Sequence, residues 1–146
     1  MKLRAVWIGK TKESAIRALT EEYGKRIARA NAFEGAELAN EDAVLKLLER
    51  SGRTAPVFVT MDPRGKMLSS EQLAEFLRSH LERGTQELIF AIGPADGWSE
   101  RAKKAANNLI SFGPITLPHE LARVVLLEQL YRGFCILQGH PYHDGH

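Results

Sequence analysis

The segment that decides the fold is ELIFAIGPADG, residues 87–97. Residues 88–92 are apolar throughout, which predicts a buried strand over 87–92. Gly93 to Gly97 then interrupt regular structure, because glycine and proline favour tight turns. A polar helix is predicted to follow, from about Ser99 to Asn108. The segment therefore indicates one unit of strand, loop and helix.

The same unit recurs along the rest of the chain. Apolar runs alternate with stretches in which apolar residues recur every three or four positions. The predicted strands are 3–8, which Gly9 ends, 33–38, 56–61, which a turn at 62–65 closes, and 87–92. The predicted helices are 12–29, 69–84 with a capping box, and 99–108. A further short helix is predicted to begin at the cap Asn40 and to stop at Ser51-Gly52. This alternation predicts an α/β fold, with a mostly parallel sheet and helices on both faces. We expect one domain over residues 1–146.

Composition excludes several classes of protein. The chain has 146 residues, of which 44% are hydrophobic and 26% charged, and a net charge of +2. Its longest apolar run, 88–92, is far shorter than the roughly 20 residues of a membrane-spanning helix. A single cysteine, Cys135, allows no internal disulfide and favours a reducing compartment. We therefore expect a cytoplasmic protein without a membrane partner, and the small charge predicts weak binding to naked RNA.

The last third of the chain departs from the alternating pattern. A helix is predicted from Pro118 to Leu137, and its stretch from Val124 to Leu127 is apolar all round. A surface helix has one apolar face only. We expect this helix to contact a second copy of the chain as well as its own sheet, and the alternative is a helix deep in its own core.

Three turns are candidates for a ligand site. They lie at Met61-Asp62, Gly93 to Gly97 and Gly113 to Pro118, each beyond a strand. Ligands of open α/β sheets bind beyond the carboxyl ends of strands. The alternative interpretation is three ordinary turns. A phosphate-binding loop at Gly9 is excluded, because that motif needs a glycine where Arg4 stands.

The C-terminal tail, residues 140–146, holds three of the five histidines. Pro141 and Gly145 disfavour a continuous helix that would present them to a metal, so we expect no metal site. The tail is either a flexible terminus or part of a site, where imidazole and phenol groups transfer protons or stack on a base. The two other histidines, His80 and His119, are interpreted as structural or solvated.

Several of these segments, in this order, resemble a known family. They are Val-Thr-Met-Asp at 59–62, Ile92 to Gly97, Ile-Thr-Leu-Pro-His at 115–119, Leu-Tyr-Arg at 130–132 and His-Pro-Tyr-His at 140–143. The chain is similar along its length to the SPOUT-class methyltransferases that modify N3 of a pseudouridine in large-subunit (23S) ribosomal RNA.

The resemblance implies a C-terminal trefoil knot, a homodimer that packs its C-terminal regions together, and S-adenosylmethionine as cofactor. The ribosomal RNA substrate is expected on a folded ribosomal surface. The cofactor-binding residues that it implies are Met61, Gly93, Pro94, Gly113, Pro114, Ile115, Thr116, Leu117 and Pro118. Two positions depart from the family pattern: Pro94 replaces a second glycine and supplies no N–H, and Asp144 replaces a basic residue. RNA contacts are therefore expected from Arg123, Arg132 and His140.

The implied reaction needs a base that removes the proton from N3. His143 is the first candidate for this base, and Tyr142 is expected to position the substrate. Two other functions remain open: a flavodoxin-like enzyme that binds a mononucleotide, and a dimeric module that binds ribosomes without chemistry.

Overall fold

The computed structural model describes residues 1–49 and 54–143, with the backbone alone at His143. The strands are β1 (Lys2–Ile8), β2 (Phe33–Leu38), β3 (Val57–Met67), β4 (Glu87–Ile92) and β5 (Asn108–Ser111). The helices are α1 (Ser14–Ala30), α2 (Glu41–Lys46), α3 (Ser70–Glu82), α4 (Glu100–Ala105) and α5 (His119–Gln138), and a 3-10 turn, η1, covers Pro141–His143. Strands and helices alternate, as the sequence predicts.

The strands of the described residues form one parallel sheet in the order β2-β1-β4-β3-β5. This confirms the predicted parallel sheet. From β3 the chain passes to β4, which lies on the β2 side of β3. From β4 it then passes in the opposite direction to β5, at the other edge of the sheet. A crevice opens beyond the carboxyl ends of strands where connections diverge in this way.

Helices cover both faces of the sheet. Leu88, Phe90 and Ile92 of β4 pack in one buried cluster with α1, α3 and α5. Ile89 and Ala91 belong to a second cluster, which α2 and α4 cover. Since successive side chains of a strand point to opposite faces, a central strand covered on both sides has to be apolar throughout. Full burial of each large side chain contributes about 1.5–3 kcal/mol.

The predicted starts of α2 and α3 are confirmed by their caps. The Asn40 side chain accepts a hydrogen bond from the Ala43 amide at 2.9 Å. Ser69 and Gln72 bond to each other's backbone amides, at 3.1 and 2.8 Å, and so form the predicted capping box. These bonds satisfy amides that a helix leaves without an internal partner in its first turn.

The predicted end of β3 at Met61 is wrong. The strand continues to Met67, although its register with β5 shifts, so that Met61 and Lys66 both lie opposite Ile110. The intervening bulge brings Gly65 against β5, where a Cβ would lie 2.6 Å from the Ile110 nitrogen. Glycine is therefore required there by a close approach of two backbones.

Two helices are shorter than predicted. Helix α4 ends at Ala105 because Asn107 turns toward β3, where its amide nitrogen and side-chain oxygen both bond to the Phe58 backbone. Helix α2 ends at Lys46. Its predicted stop at Ser51-Gly52 lies outside the described residues, as does the part of the tail from Asp144 onward.

Helix α5 lies against the sheet between α1 and α3. Leu126, Leu127 and Leu130 are buried, whereas Val124 and Val125 stay partly exposed. The helix therefore has apolar side chains on its outer side as well as toward the sheet. None of the described helices is long and apolar enough to cross a membrane.

Candidate active site

A cleft of about 470 Å³ opens where the pairing of β3 with β4 ends, at Met61 and Ile92, and at the carboxyl end of β5. The bulge of β3 and the loops after β4 and β5 form its walls, and the first turn of α5 closes one side. The structure thus brings together turns that are between 16 and 51 residues apart in the chain. Of the predicted cofactor residues, the following line the cleft: Met61, Gly93, Pro94, Gly113, Pro114, Ile115, Thr116 and Leu117.

Pro118 is the predicted cofactor residue that is absent from this lining. It is the N-cap of α5, and its carbonyl accepts a hydrogen bond from the Ala122 amide at 3.0 Å. Its fixed backbone angle sets the direction in which the helix leaves the cleft.

Trp98 holds the β4 loop in place. Its indole Nε1 donates to the Met61 carbonyl at 3.1 Å and so joins the ends of β3 and β4. The ring lies against Gly93 so closely that a Cβ there would be 2.6 Å from Trp98 Cε2. The loop is further closed by a hydrogen bond of 2.9 Å from the Gly97 amide to the Pro94 carbonyl.

The β5 loop presents its main chain to the cleft. Gly113 adopts a φ of +107°, which side chains disfavour. Among the described residues, the amides of Ile115, Thr116 and Leu117 donate to no other protein group. Unpaired amides in the wall of a cleft are donors that a ligand can use.

The first turn of α5 reaches across to the β4 loop. His119 Nε2 lies 2.7 Å from the Gly93 carbonyl, and its Nδ1 lies 3.0 Å from an Arg123 guanidinium nitrogen. Arg123 also donates to Thr11 Oγ1 at 2.7 Å and to the Ile8 carbonyl at 3.2 Å. His119, interpreted from the sequence as structural or solvated, is held by protein groups in the cleft wall.

Arg123 is not placed as expected for RNA binding. Its side chain is 1% exposed, and the buried guanidinium bonds to protein groups. Burial lowers the pKa of Arg123, against the opposing effect of Glu120 and Glu37. An RNA phosphate cannot reach this group without opening those contacts, so the predicted direct contact is corrected to a structural role.

A second polar cluster lies beside α5, from the middle of the helix to the tail that follows it. The Tyr142 hydroxyl donates to Glu128 Oε2 at 3.0 Å and lies 3.2 Å from the Tyr23 hydroxyl. Glu128 also accepts from Arg132, at 2.6 and 3.1 Å. Burial, then the bonds to Tyr23 and Glu128, raise the pKa of Tyr142, so the phenol keeps its proton at neutral pH. We name Tyr23, Glu128, Arg132 and Tyr142 the tail cluster.

The tail cluster lies along α5, beyond the first turn that closes the cleft, and none of its four residues lines the cleft. Glu128, which the Tyr142 hydroxyl contacts, lies nine residues after His119, a rise of about 14 Å at 1.5 Å per residue. His140 is exposed, and its Nδ1 accepts from the Tyr142 amide at 3.1 Å. The backbone of His143 ends η1, and its side chain lies outside the described part of the chain.

Sequence reasoning missed Trp98, Glu128 and Tyr23. The signal for Trp98 was its place directly after a glycine-rich loop that follows the strongest strand. Glu128 and Arg132 are spaced i,i+4 on a helix, which is a signal for an ion pair. Nothing local points to Tyr23, because it meets the tail only through the packing of α1 on α5.

Comparison with known proteins gives the family. The family model described as "Predicted SPOUT methyltransferase" matches residues 1–143. The Ribosomal RNA large subunit methyltransferase H of Koribacter versatilis (strain Ellin345) is 64% identical over 146 residues, covering 100% of both chains. The protein of the same name from Geotalea daltonii is 40% identical, covering 98% of this chain and 99% of that protein.

Solved structures share the fold at low sequence identity. The SpoU methyltransferase AviRb from Streptomyces viridochromogenes, solved in complex with the cofactor AdoMet, aligns with a TM-score of 0.55 at 14% identity. The alignment covers 90% of this chain and 57% of that one. A probable methylase family protein from Haemophilus influenzae aligns with a TM-score of 0.57 at 8% identity, over 96% and 67% of the two chains. The family match spans nearly the whole chain, and the chain therefore belongs to the SPOUT methyltransferases.

Proposed function

We propose that the protein transfers a methyl group from S-adenosylmethionine to N3 of a pseudouridine in 23S ribosomal RNA, on the assembled large subunit or ribosome. The names of the relatives, both large-subunit ribosomal RNA methyltransferases, support this substrate class. The observation that carries the proposal is the cleft, in which the bulge of β3 and the ends of its neighbours β4 and β5 converge on one volume.

The cleft has the volume of a typical small-molecule site and so suits S-adenosylmethionine. Small-molecule sites in proteins occupy about 300–1,000 Å³ and combine apolar walls with a few polar groups, and this cleft measures about 470 Å³ with Pro94 in its wall. The pyrrolidine ring therefore leaves the cleft open. The amides of Ile115, Thr116 and Leu117 are available donors at its rim. The cofactor, when bound, supplies a methyl group on a positively charged sulfur.

The residues of this chain bind and orient the reactants. Met61, the Gly93-Pro94 loop and residues 113–117 hold the cofactor, with Pro118 setting the path of the last loop. Positioning of two reactants can supply most of the acceleration for such a transfer. His143 accepts the proton from N3, and Tyr142 positions the pseudouridine ring of the substrate. Since the phenol of Tyr142 is held in its protonated form, it suits hydrogen bonding to the substrate rather than proton removal.

A homodimer resolves the distance between the cleft and the tail. Within one chain, the tail cluster lies outside the cleft, and Glu128, the partner of Tyr142, lies about 14 Å along α5 from His119. We infer that the tail of one copy meets the cleft of the other. The partly exposed Val124 and Val125, together with the 45% exposed Leu121, provide an apolar surface on α5 for this contact.

The remaining expectations belong to the same proposal. His140 is exposed beside the tail, and Arg132, with its side chain 14% exposed, is ion-paired with Glu128. These two are the RNA contacts that we propose, and a ribosomal substrate implies a cytoplasmic protein. One domain over residues 1–146 and a C-terminal trefoil knot complete the proposed architecture.

A methyl-transfer assay tests the proposed reaction. With labelled S-adenosylmethionine, we expect incorporation into 23S RNA of ribosomes or large subunits and much less into a free stem-loop, since the net charge is only +2. Calorimetry should detect S-adenosylmethionine binding and no binding of FMN or ATP. Binding of FMN instead would favour a flavodoxin-like enzyme, and cofactor-free binding to ribosomes would favour a non-catalytic module.

Mixing two inactive variants tests the shared site. Gly93→Ala damages the cleft and His143→Ala removes the proposed base. In mixed dimers, one site combines an intact cleft with an intact tail, so the mixture should recover about a quarter of wild-type activity if subunits exchange at random. Each variant alone is the control. No recovery, with dimer exchange verified, would contradict a site built from two chains.

A further inference from the structure

We propose that His119, held by Arg123, is a positioning residue that fixes the Gly93 carbonyl and thereby the wall against which the cofactor binds. The inference rests on the proposed function only in naming the ligand of the cleft. The positioning itself concerns contacts between α5 and the β4 loop.

The bonding pattern fixes the state of the His119 ring. A guanidinium can only donate, so Nδ1 of His119 accepts the bond of 3.0 Å from Arg123. The neutral ring therefore carries its proton on Nε2, and this atom donates to the Gly93 carbonyl at 2.7 Å. In both hydrogen bonds, from Arg123 to His119 and from His119 to the Gly93 carbonyl, the donor and the acceptor are therefore fixed.

Arg123 is itself fixed by a different part of the protein. Its other bonds run to Thr11 and to the Ile8 carbonyl, in the connection between β1 and α1. Glu120, on the same helical turn, accepts from the amides of Lys12 and Glu13 at 3.1 Å each. The first turn of α5 is thus anchored on the β1–α1 connection, and His119 extends this anchor to the β4 loop.

The Gly93–Pro94 peptide depends on this anchor. Proline has no N–H, so the Gly93 carbonyl is the one hydrogen-bonding atom of that peptide unit. Trp98 blocks the other side of Gly93, where a Cβ would lie 2.6 Å from the indole. Loss of the His119 donor would leave a buried carbonyl unpaired, and rotation of the peptide to satisfy it would change the shape of the cleft.

Two substitutions distinguish the effect of the hydrogen-bond donor at Nε2 from the effect of removing the imidazole ring. In His119→Gln, the amide nitrogen lies near the place of Nε2 and can still donate to Gly93. In His119→Asn, the shorter side chain can accept from Arg123 but cannot reach Gly93. We expect His119→Asn to weaken S-adenosylmethionine binding by about two- to tenfold, with an unchanged kcat at saturating cofactor. His119→Gln should stay within about twofold of wild type.

A second buried histidine supplies the matched control. His80 is buried on α3 and bonded to Thr85 Oγ1 at 2.8 Å, away from the cleft. His80→Asn should lower the free energy of unfolding without changing cofactor affinity. A general loss of packing would instead affect both asparagine variants alike.

Hydrogen exchange in the cofactor-free protein provides a readout that does not need the proposed function. The Gly97 amide, which bonds to the Pro94 carbonyl, should exchange faster in His119→Asn than in wild type, and at the wild-type rate in His119→Gln. If wild type binds no S-adenosylmethionine, the proposed function fails, while this exchange comparison still decides the role of His119.

Two results would overturn the inference. One is an exchange rate of the Gly97 amide that His119→Asn leaves unchanged. The other is a His119→Gln variant that behaves like His119→Asn in binding and exchange, since the donor at Nε2 would then not matter. Nitrogen NMR of the imidazole gives an independent check, because it should report a neutral ring protonated on Nε2.

Discussion

The two ends of helix α5 differ in how they are built. At its N-terminal end, the cleft is lined mainly by glycine, proline and apolar residues, together with the polar Asp62, Ser111, Thr116 and His119, and it offers main-chain amides as donors. From the middle of the helix to the tail, the tail cluster consists of two tyrosines and an ion pair between Glu128 and Arg132 at 2.6 Å. The first end can hold a ligand through its backbone, and the second offers hydroxyl and charged groups.

This difference separates binding from proton chemistry. A wall of backbone atoms depends on shape, so it is sensitive to a single added methyl group. A cluster of side chains depends on hydrogen bonds and pKa values, so it is sensitive to pH. Variants at the two ends should therefore give different kinds of defect, and each prediction below tests this division.

The largest effect is expected from Gly93→Ala. The new Cβ would lie 2.6 Å from Trp98 Cε2, so the ring or the loop has to shift. Overpacking of this kind costs about 1–3 kcal/mol, and a loop displaced into the cleft should weaken S-adenosylmethionine binding by about 100-fold in calorimetry. Gly84→Ala, at a positive φ with open space around it, is the control and should leave affinity unchanged. Normal binding by Gly93→Ala would show that the wall tolerates a change of shape.

An intermediate effect is expected from Trp98→Phe. The variant loses the bond of 3.1 Å to the Met61 carbonyl, which joins two strand ends. We expect a loss of about 1–2 kcal/mol in denaturant unfolding and about fivefold weaker cofactor binding. Trp7→Phe is a matched control, because within the described residues Trp7 Nε1 has no hydrogen-bond partner to lose. Equal affinity losses in both variants would argue against a specific role for the indole donor.

The smallest effect on the cleft, and the one that depends on pH, is expected from Tyr142→Phe. Loss of the hydroxyl bond to Glu128 should cost about 1 kcal/mol at pH 7 and leave cofactor affinity unchanged. Because folding raises the pKa of Tyr142 above its unfolded value of about 10, the wild type loses stability as pH rises beyond 10. The variant should lose less over the same range. Parallel unfolding curves for the two proteins between pH 9 and 11 would contradict this assignment.

Local signals in the sequence predicted most of the fold. Strands 33–38 and 87–92 have the predicted bounds, since short apolar or alternating runs and the turns beside them decide these limits. The bulge in β3 was not predictable, because it depends on Gly65 meeting the backbone of Ile110 on another strand. For the same reason, the turn signal at 62–65 predicted that β3 ends there, whereas the strand continues to Met67.

The candidate site was predictable in part. The rule that ligands bind beyond strand ends, with glycine-rich loops there, indicated the turns that line the cleft. It did not indicate the partners of those turns. His119 bonds to a residue 26 positions away, Trp98 to one 37 positions away and Arg123 to one 112 positions away.

The sequence by itself determined where the first four strands and most of the helices lie, which faces they bury and which loops carry glycine. These features follow from the periodicity of apolar residues and from the allowed backbone angles of glycine and proline. The tertiary structure alone decided that Arg123 is buried, that His119 holds Gly93, and that Tyr142 lies against Glu128 outside the cleft. Such contacts form only when distant segments pack, and the free energy that selects them comes from the whole core rather than from any one stretch of chain.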